Sequence, residues 1–315
     1  MPPPTHLPDC MRLLPEETTA VMRRLEWMAR RRMQGTLTGK HSSPDKGISV
    51  EFAEHRPYAP GDDPRTLDWR VMARSDRNVV RQFIEETNLR ATLAVDVSGS
   101  MGYTGSHAAV LDGKVLSKLE YSKYLSAALA YLFIKQGDAA GLVTFDRKPL
   151  DFVRAASRPS QVRRILEVLD RAQVGAETDA AAVLHDVAER IPKRGVVFLI
   201  SDLFDDPARI IEALHHFDYR QHELVVFHVM AEEELSFPFS GYQQFRDLEQ
   251  AHPTLRIDPQ AVRAGYLERV GKFVRAIEAA CGNLHADYVP VNTRNTLRQT
   301  LLRYLGRRQH AKRSR

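Results

Sequence analysis

Cysteine is scarce in this sequence. Only Cys10 and Cys281 occur in 315 residues, and there is no CxxC pair. That excludes a disulfide framework and fits a reducing compartment. Long hydrophobic runs are missing too. The most apolar stretch, Leu125 to Ile134 ("LSAALAYLFI"), is flanked by lysines and falls far short of the ~20 residues a membrane span needs. The N-terminus, "MPPPTHLPDC", has neither a basic start nor an apolar core. No secretory signal is expected, and the protein is expected in the cytoplasm. GxxxxGK[ST], GxGxxG and HExxH are all lacking, which leaves glycine-loop nucleotide binding and zinc-protease chemistry without support. The twelve histidines are scattered and read as surface or satisfied side chains rather than zinc ligands.

What is there is an ordinary globular composition, 43% hydrophobic and 27% charged. The net charge is +5, but residues 288 to 315 hold eight Arg and Lys with no Asp or Glu, so the rest of the chain carries −3. The high isoelectric point therefore belongs to a tail. Its bland reading is a solvated terminus, and nucleic acid is not an expected partner.

The length suits one large α/β domain with an extension, or two small domains. Residues 15 to 33 read as an amphipathic helix, with Met22, Leu25, Met28 and Ala29 at helical spacing among arginines. A loop comes next, and then "RPYAPGDDPRTLDWR", where Pro60-Gly61 signals a turn and Asp62 or Asp63 is placed to cap the next element. This segment reads as a structural brace of ion pairs and aromatic anchors. "NVVRQFIEE" fits a strand or a short helix equally. From residue 91 strands alternate with helices, and "GVVFLIS" (195–201) is the continuous apolar run of a strand covered on both faces. A doubly wound, mostly parallel sheet with helices on both faces is the expected fold. The expected domains are an N-terminal helix and PGDD-containing extension (1–88) packed on the main domain, the main domain (89–305), and a basic tail (306–315).

"ATLAVDVSGSMG" (91–102) ends a buried strand in one carboxylate and two hydroxyls, which suits a turn, a nucleophile or a metal socket. In doubly wound sheets ligands bind beyond the carboxyl ends of the strands. Strand 91–97 delivers Asp96, Ser98 and Ser100 there. Strand 195–201 delivers Ser201 and Asp202, and the loop before a later helix delivers Thr178. An all-oxygen donor set points to a hard cation, Mg2+ or Mn2+. With neutral hydroxyls inside and Asp96 and Asp202 acting mainly through water or hydrogen bonds, the ion would keep positive character and attract an external carboxylate. A serine nucleophile would need a base within reach, and "VSGSM" does not fit the G-x-S-x-G elbow. An aspartyl phosphate acceptor would want a second Asp where Ser98 stands.

"DVSGSM" after a strand, a later Thr and "ISD" after another strand resemble the metal-ion-dependent adhesion site of von Willebrand factor A-type domains. "GISVEFAEHRPYAPGDDPRTLDWRVMAR", "KLEYSKYLSAALAYL" and "RGVVFLISDLFDDP" resemble domain-of-unknown-function family 58, across roughly residues 35 to 300. The resemblance implies a von Willebrand A-like fold with metal residues Asp96, Ser98, Ser100, Thr178 and Asp202. It also implies a non-enzymatic, chaperone-like interaction module. Its partners would be a MoxR-type AAA ATPase and a protein carboxylate on the metal, in the assembly or activation of client proteins. A metal-dependent hydrolase or phosphotransferase on the same site is the alternative. Two departures stand out: the inserted "YTGSHAAVLDGKV" (103–115), and Glu177 just before Thr178.

Overall fold

The computed structural model describes residues 9–16, 18–20, 22, 50–58, 67–75, 78–85, 89–111, 113–175, 180–192, 195–245, 248 and 255–304. The chain divides into two compact units, residues 36–88 and residues 1–35 with 89–315.

In the smaller unit, β1 (Val50–Pro57) pairs antiparallel with β2 (Val79–Glu85), so "NVVRQFIEE" holds a strand and not a helix over 79–85. Between them lies α1 (Trp69–Ser75). Its first turn is capped by Asp68, whose carboxylate accepts from the amides of Arg70 and Val71 at 3.0 and 3.3 Å. The expected caps Asp62 and Asp63 lie outside the described residues, as does most of the brace segment.

The larger unit is built on one six-stranded sheet. In chain order its strands are β3 (Arg90–Asp96), β6 (Ala139–Phe145), β7 (Pro149–Ala156), β8 (Val196–Ser201), β9 (Glu223–Met230) and β12 (Asp287–Asn292). Two short strands, β4 (Val110–Leu111) and β5 (Lys114–Val115), form a hairpin inside the insertion. The helices are α2 (Lys118–Lys135), α3 (Ser160–Arg171), α4 (Ala180–Arg190), α5 (Pro207–Tyr219), α6 (Glu232–Ser236) and α7 (Pro259–Asn283), with α8 over 297–304. Between β9 and α7 lie α6 and the antiparallel pair β10 (Gln243–Phe245) and β11 (Leu255–Ile257).

Strand order is β12-β9-β8-β3-β6-β7. All pairings are parallel except β6 with β7. This is the doubly wound α/β fold. From β3 the chain builds outward through β6 in one direction and through β8, β9 and β12 in the other. The order therefore reverses between β3 and β8, and the two strands' carboxyl ends open a crevice there.

Alternation along each strand sends side chains to opposite layers. Ala94, Val143, Val197, Leu199 and Val226 pack with α4, α5 and α7, through Val187, Leu214, Phe217 and Ile277 among others. Phe198 faces the other way, with ring centroids 5.2 Å from Phe133 of α2 and 6.2 Å from Tyr304 of α8. The apolar run Leu125 to Ile134 is the second half of α2, a helix buried along nearly its whole length. No described helix is long and apolar enough to cross a membrane. Residues 16, 18–20 and 22 are helical, and the rest of the helix expected over 15–33 falls outside the described residues. Leu13 and Met22 are buried, and Arg12 pairs with Asp170 of α3 at 2.7 Å.

Each edge strand of the sheet carries a feature that discourages further pairing. On β7 the register shifts between Ala140 and Leu142 of its neighbour. A Cβ on Gly141 would come within 2.7 Å of the Val153 carbonyl oxygen, so only glycine fits. The Gln161 amide donates to the carbonyls of Ala140 and Arg154 at 3.0 and 2.8 Å, satisfying acceptors at the bulge. At the other edge, β12 carries Pro290, which has no N–H to offer.

Candidate metal centre

Four of the five residues singled out in the sequence meet at the crevice. Asp96 ends β3, with Ser98 and Ser100 in the turn after it, and Asp202 comes directly after β8. Asp96 is 1% exposed. Its Oδ1 accepts from the Ser98 amide at 2.9 Å, and its Oδ2 accepts from the Ser201 hydroxyl at 2.5 Å. The Ser201 Oγ in turn accepts from the Leu203 amide at 2.8 Å. The Ser98 and Ser100 hydroxyls lie 3.1 Å apart. Leu203 is held at φ 53, a left-handed conformation that costs a leucine about 1–2 kcal/mol. That strain sits directly after Asp202 and at the mouth of the crevice.

Thr178 lies outside the described residues, as does Glu177. The chain on either side of it reaches this edge. The Gly175 amide donates to the Val97 carbonyl at 2.6 Å, and the Ala181 amide donates to the Asp205 carboxylate at 3.2 Å.

The two carboxylates differ in compensation. Burial, reinforced by the charge of Asp202, pushes the Asp96 carboxyl up from 3.8 to about 7. Burial also pushes Asp202 up, but the ammonium of Lys118 outweighs it and holds Asp202 below its ordinary value. Lys118 Nζ lies 2.7 Å from Asp202 Oδ2 and 2.7 Å from Glu234 Oε1, and its side chain is 2% exposed. Burial would lower the Lys118 ammonium, yet its two carboxylate partners hold it above its normal range. Glu234 is fixed from its other oxygen by the Ala231 amide at 2.7 Å. Asp96 has no such cationic partner among the described residues, and that shortfall fits a cation.

The sequence alone does not single out Lys118, since "KLEYSKYL" reads there only as a helix. A local signal does exist. Ser117 caps α2 through its side chain, so Lys118 occupies the first turn, where the helix dipole disfavours a cation. A lysine there needs carboxylates beyond the helix. Glu234 is not legible, since it lies 116 residues from Lys118.

The insertion 103–115 is latched beside the crevice by Glu233 of α6. Glu233 Oε1 accepts from the Ser106 hydroxyl at 2.8 Å and the His107 amide at 3.0 Å, and lies 2.8 Å from His107 Nδ1. Burial raises the Glu233 carboxyl, but these bonds outweigh it and bring it down to about 2. The Lys118 amide donates to the Tyr103 carbonyl at 3.0 Å, which ties the insertion to the start of α2.

His228 lies against the crevice, but its ring is committed elsewhere than to a serine. Its Nε2 lies 3.0 Å from the Asp202 carbonyl oxygen and its Nδ1 lies 2.8 Å from the Tyr288 hydroxyl. A carbonyl only accepts, so Nε2 carries the proton. Burial holds this imidazole down at about 4. His185 is exposed on α4 beside His216 of α5.

Comparison with known proteins gives one family. The description "Protein of unknown function DUF58" matches residues 54–273. The chain belongs to the DUF58 family. Uncharacterized proteins of Mycobacterium tuberculosis and Mycobacterium bovis are 27% identical to this DUF58 chain over 278 residues, covering 85% of it and 84% of each relative. Similar solved structures include the conserved hypothetical protein BatB from Bacteroides thetaiotaomicron, 15% identical, covering 70% of this chain and 99% of that one, with a TM-score of 0.42. The VWA domain of SpRpn10 is 10% identical, covering 69% and 94% of the two chains, with a TM-score of 0.39. The von Willebrand A-like reading of the DUF58 chain rests on its own strand order and on the antiparallel edge strand β7.

Proposed function

We propose that this chain is a Mg2+- or Mn2+-dependent protein-docking module, in which a partner's Asp or Glu completes the ion's coordination. One observation carries the reading. Asp96, a buried carboxylate without a cationic partner among the described residues, sits beside two adjacent hydroxyls at the point where strand order reverses. Ser98, Ser100 and Thr178 would hold the ion through neutral oxygens. Asp96 and Asp202 would orient those hydroxyls and bridging water. When bound, the ion supplies a Lewis-acidic contact for an oxyanion.

The rest of the crevice supports docking over turnover. Lys118 keeps Asp202 largely compensated, so the carboxylates do not cage the ion. A general base must reach the proton it removes. His228, the imidazole that touches the Asp202 carbonyl, has both ring nitrogens engaged. The family resemblance supplies the partner: a MoxR-type AAA ATPase, acting with this module on client proteins.

Calorimetric titration with Mg2+ and Mn2+ tests the ion. One ion should bind per chain, and Asp96→Ala should weaken it by tenfold or more; no binding by the intact chain would end the proposal. Capture of a purified MoxR-type ATPase with Mg2+, with chelator, and by the Asp96→Ala chain tests the partner. Binding should occur only in the first case. Ester or phosphate turnover that needs Mg2+ and vanishes in Asp96→Ala would favour the enzymatic alternative.

A further inference from the structure

The scattered histidines of the sequence do not stay scattered in the fold. His185 and Glu189 are four residues apart on α4 and so share one face. His216 stands on α5, and its ring centroid lies 3.8 Å from that of His185. One donor atom from each of His185, Glu189 and His216 lies within 4.8 Å of the others. We propose that these three side chains form a second metal site, specific for Zn2+ or its borderline neighbours Co2+ and Ni2+.

The donor chemistry separates this site from the crevice. Two imidazoles and one carboxylate suit borderline metals, whereas Mg2+ prefers oxygen. Three protein ligands leave a fourth tetrahedral position, which water fills. The size also fits. Metal–ligand bonds of about 2.0–2.1 Å at tetrahedral angles place donors roughly 3.3 Å apart. His216 Nε2 already lies 3.0 Å from Glu189 Oε1. The remaining closure is within reach of side-chain rotation, since His185 is exposed and the Glu189 side chain is 50% exposed.

The surrounding shell supports the carboxylate. Arg220 Nη1 donates to Glu189 Oε2 at 3.0 Å, and Nη2 donates to the Glu189 carbonyl at 3.1 Å. Oε1, the oxygen nearest His216, is thereby left for the metal while Oε2 is held. Outer partners of this kind orient ligating carboxylates. The hydrogen bond from His216 outweighs the opposing effect of burial and, with the charge of Arg220, keeps the Glu189 carboxyl below its ordinary value.

The position in the fold adds a consequence. In the chain α4 begins two residues after Thr178, and α5 begins five residues after Asp202. The proposed site lies toward the other ends of both helices. A metal there would staple the two helices that frame the crevice.

The test uses the full chain in Mg2+-containing buffer. Titration with Zn2+ should show one tight equivalent, and Co2+ should give the visible absorption of a tetrahedral centre. His185→Ala, at an exposed position, should lower Zn2+ affinity at least tenfold and remove the Co2+ band. His216→Gln should do the same. Asp96→Asn should leave both signals intact, which separates this site from the crevice. Zn2+ affinity unchanged in both histidine variants would overturn the proposal, as would Zn2+ binding that is lost only in Asp96→Asn.

Discussion

Replacing Asp96 with asparagine should stabilise the metal-free fold near neutral pH while removing its response to Mg2+. Burial and the neighbouring Asp202 push the Asp96 carboxyl from 3.8 to about 7. The native state therefore holds this proton more tightly than the unfolded chain. The contribution to stability is fully present below the unfolded value and is lost as pH rises through about 7. At about 1.4 kcal/mol per tenfold change in proton affinity, the charged carboxylate costs the fold about 4 kcal/mol at about pH 8. Asparagine removes that cost and still accepts from the Ser98 amide. It returns part of the gain, because the Ser201 hydroxyl now faces an N–H and loses its acceptor. An unsatisfied buried hydroxyl costs about 1–2 kcal/mol. The net expectation is about 2–3 kcal/mol of added stability at about pH 8, shrinking to about zero near pH 5, where the native parent is already protonated. Urea unfolding in chelator and in excess Mg2+, for parent and Asp96→Asn, reads all of this. Mg2+ should raise only the parent's midpoint. A variant less stable than the parent in chelator at about pH 8, or equal Mg2+ stabilisation of both, would refute the reasoning.

Three more outcomes rest on the geometry. Lys118→Met leaves buried Asp202 and partly exposed Glu234 without their ammonium and should cost about 3–5 kcal/mol in urea unfolding; a loss under about 1 kcal/mol would show that the network contributes little. His228 is held down at about 4, so the unfolded chain takes up its proton first, and stability should fall by up to about 3 kcal/mol as pH drops from about 6.5 to 4. His222, also near 4, acts in the same direction. His228→Gln should flatten that pH dependence, and an unchanged slope would count against the assignment. In Gly105→Ala the new Cβ would lie 2.0 Å from Glu233 Oε2, so the latch must move. Hydrogen exchange at the His107 amide should accelerate markedly, and unchanged protection would show that Glu233 is not what holds the insertion.

The strands that build the crevice are legible because their burial is written in consecutive residues. "ATLAVDV" and "GVVFLIS" are apolar on both faces, as strands inside a parallel sheet must be, and each ends in the polar residues of the candidate site. "NVVRQFIEE" is not legible, because its partner strand, not its own periodicity, decides its conformation. The crevice electrostatics are half legible. Asp96, Ser98 and Asp202 announce themselves by type at strand ends, but the Lys118–Glu234 contact joins α2 to α6 and exists only in three dimensions. The same holds for His185 and His216, which nothing in their local sequence relates and which helix packing brings together.

The blunted rims of the sheet limit how this molecule can meet another. A partner that binds by adding a strand needs a flat, unpaired row of amides and carbonyls. At β7 the bulge over Gly141 bends the ladder, and Gln161 has already claimed the nearby carbonyls of Ala140 and Arg154. At β12 Pro290 interrupts the row of donors. Strand donation, templated growth and edge-to-edge stacking are thereby disfavoured together. In the proposed docking role, partner choice then falls to the loops at the carboxyl end of the strands, whose residues can diverge while the sheet beneath them stays unaltered.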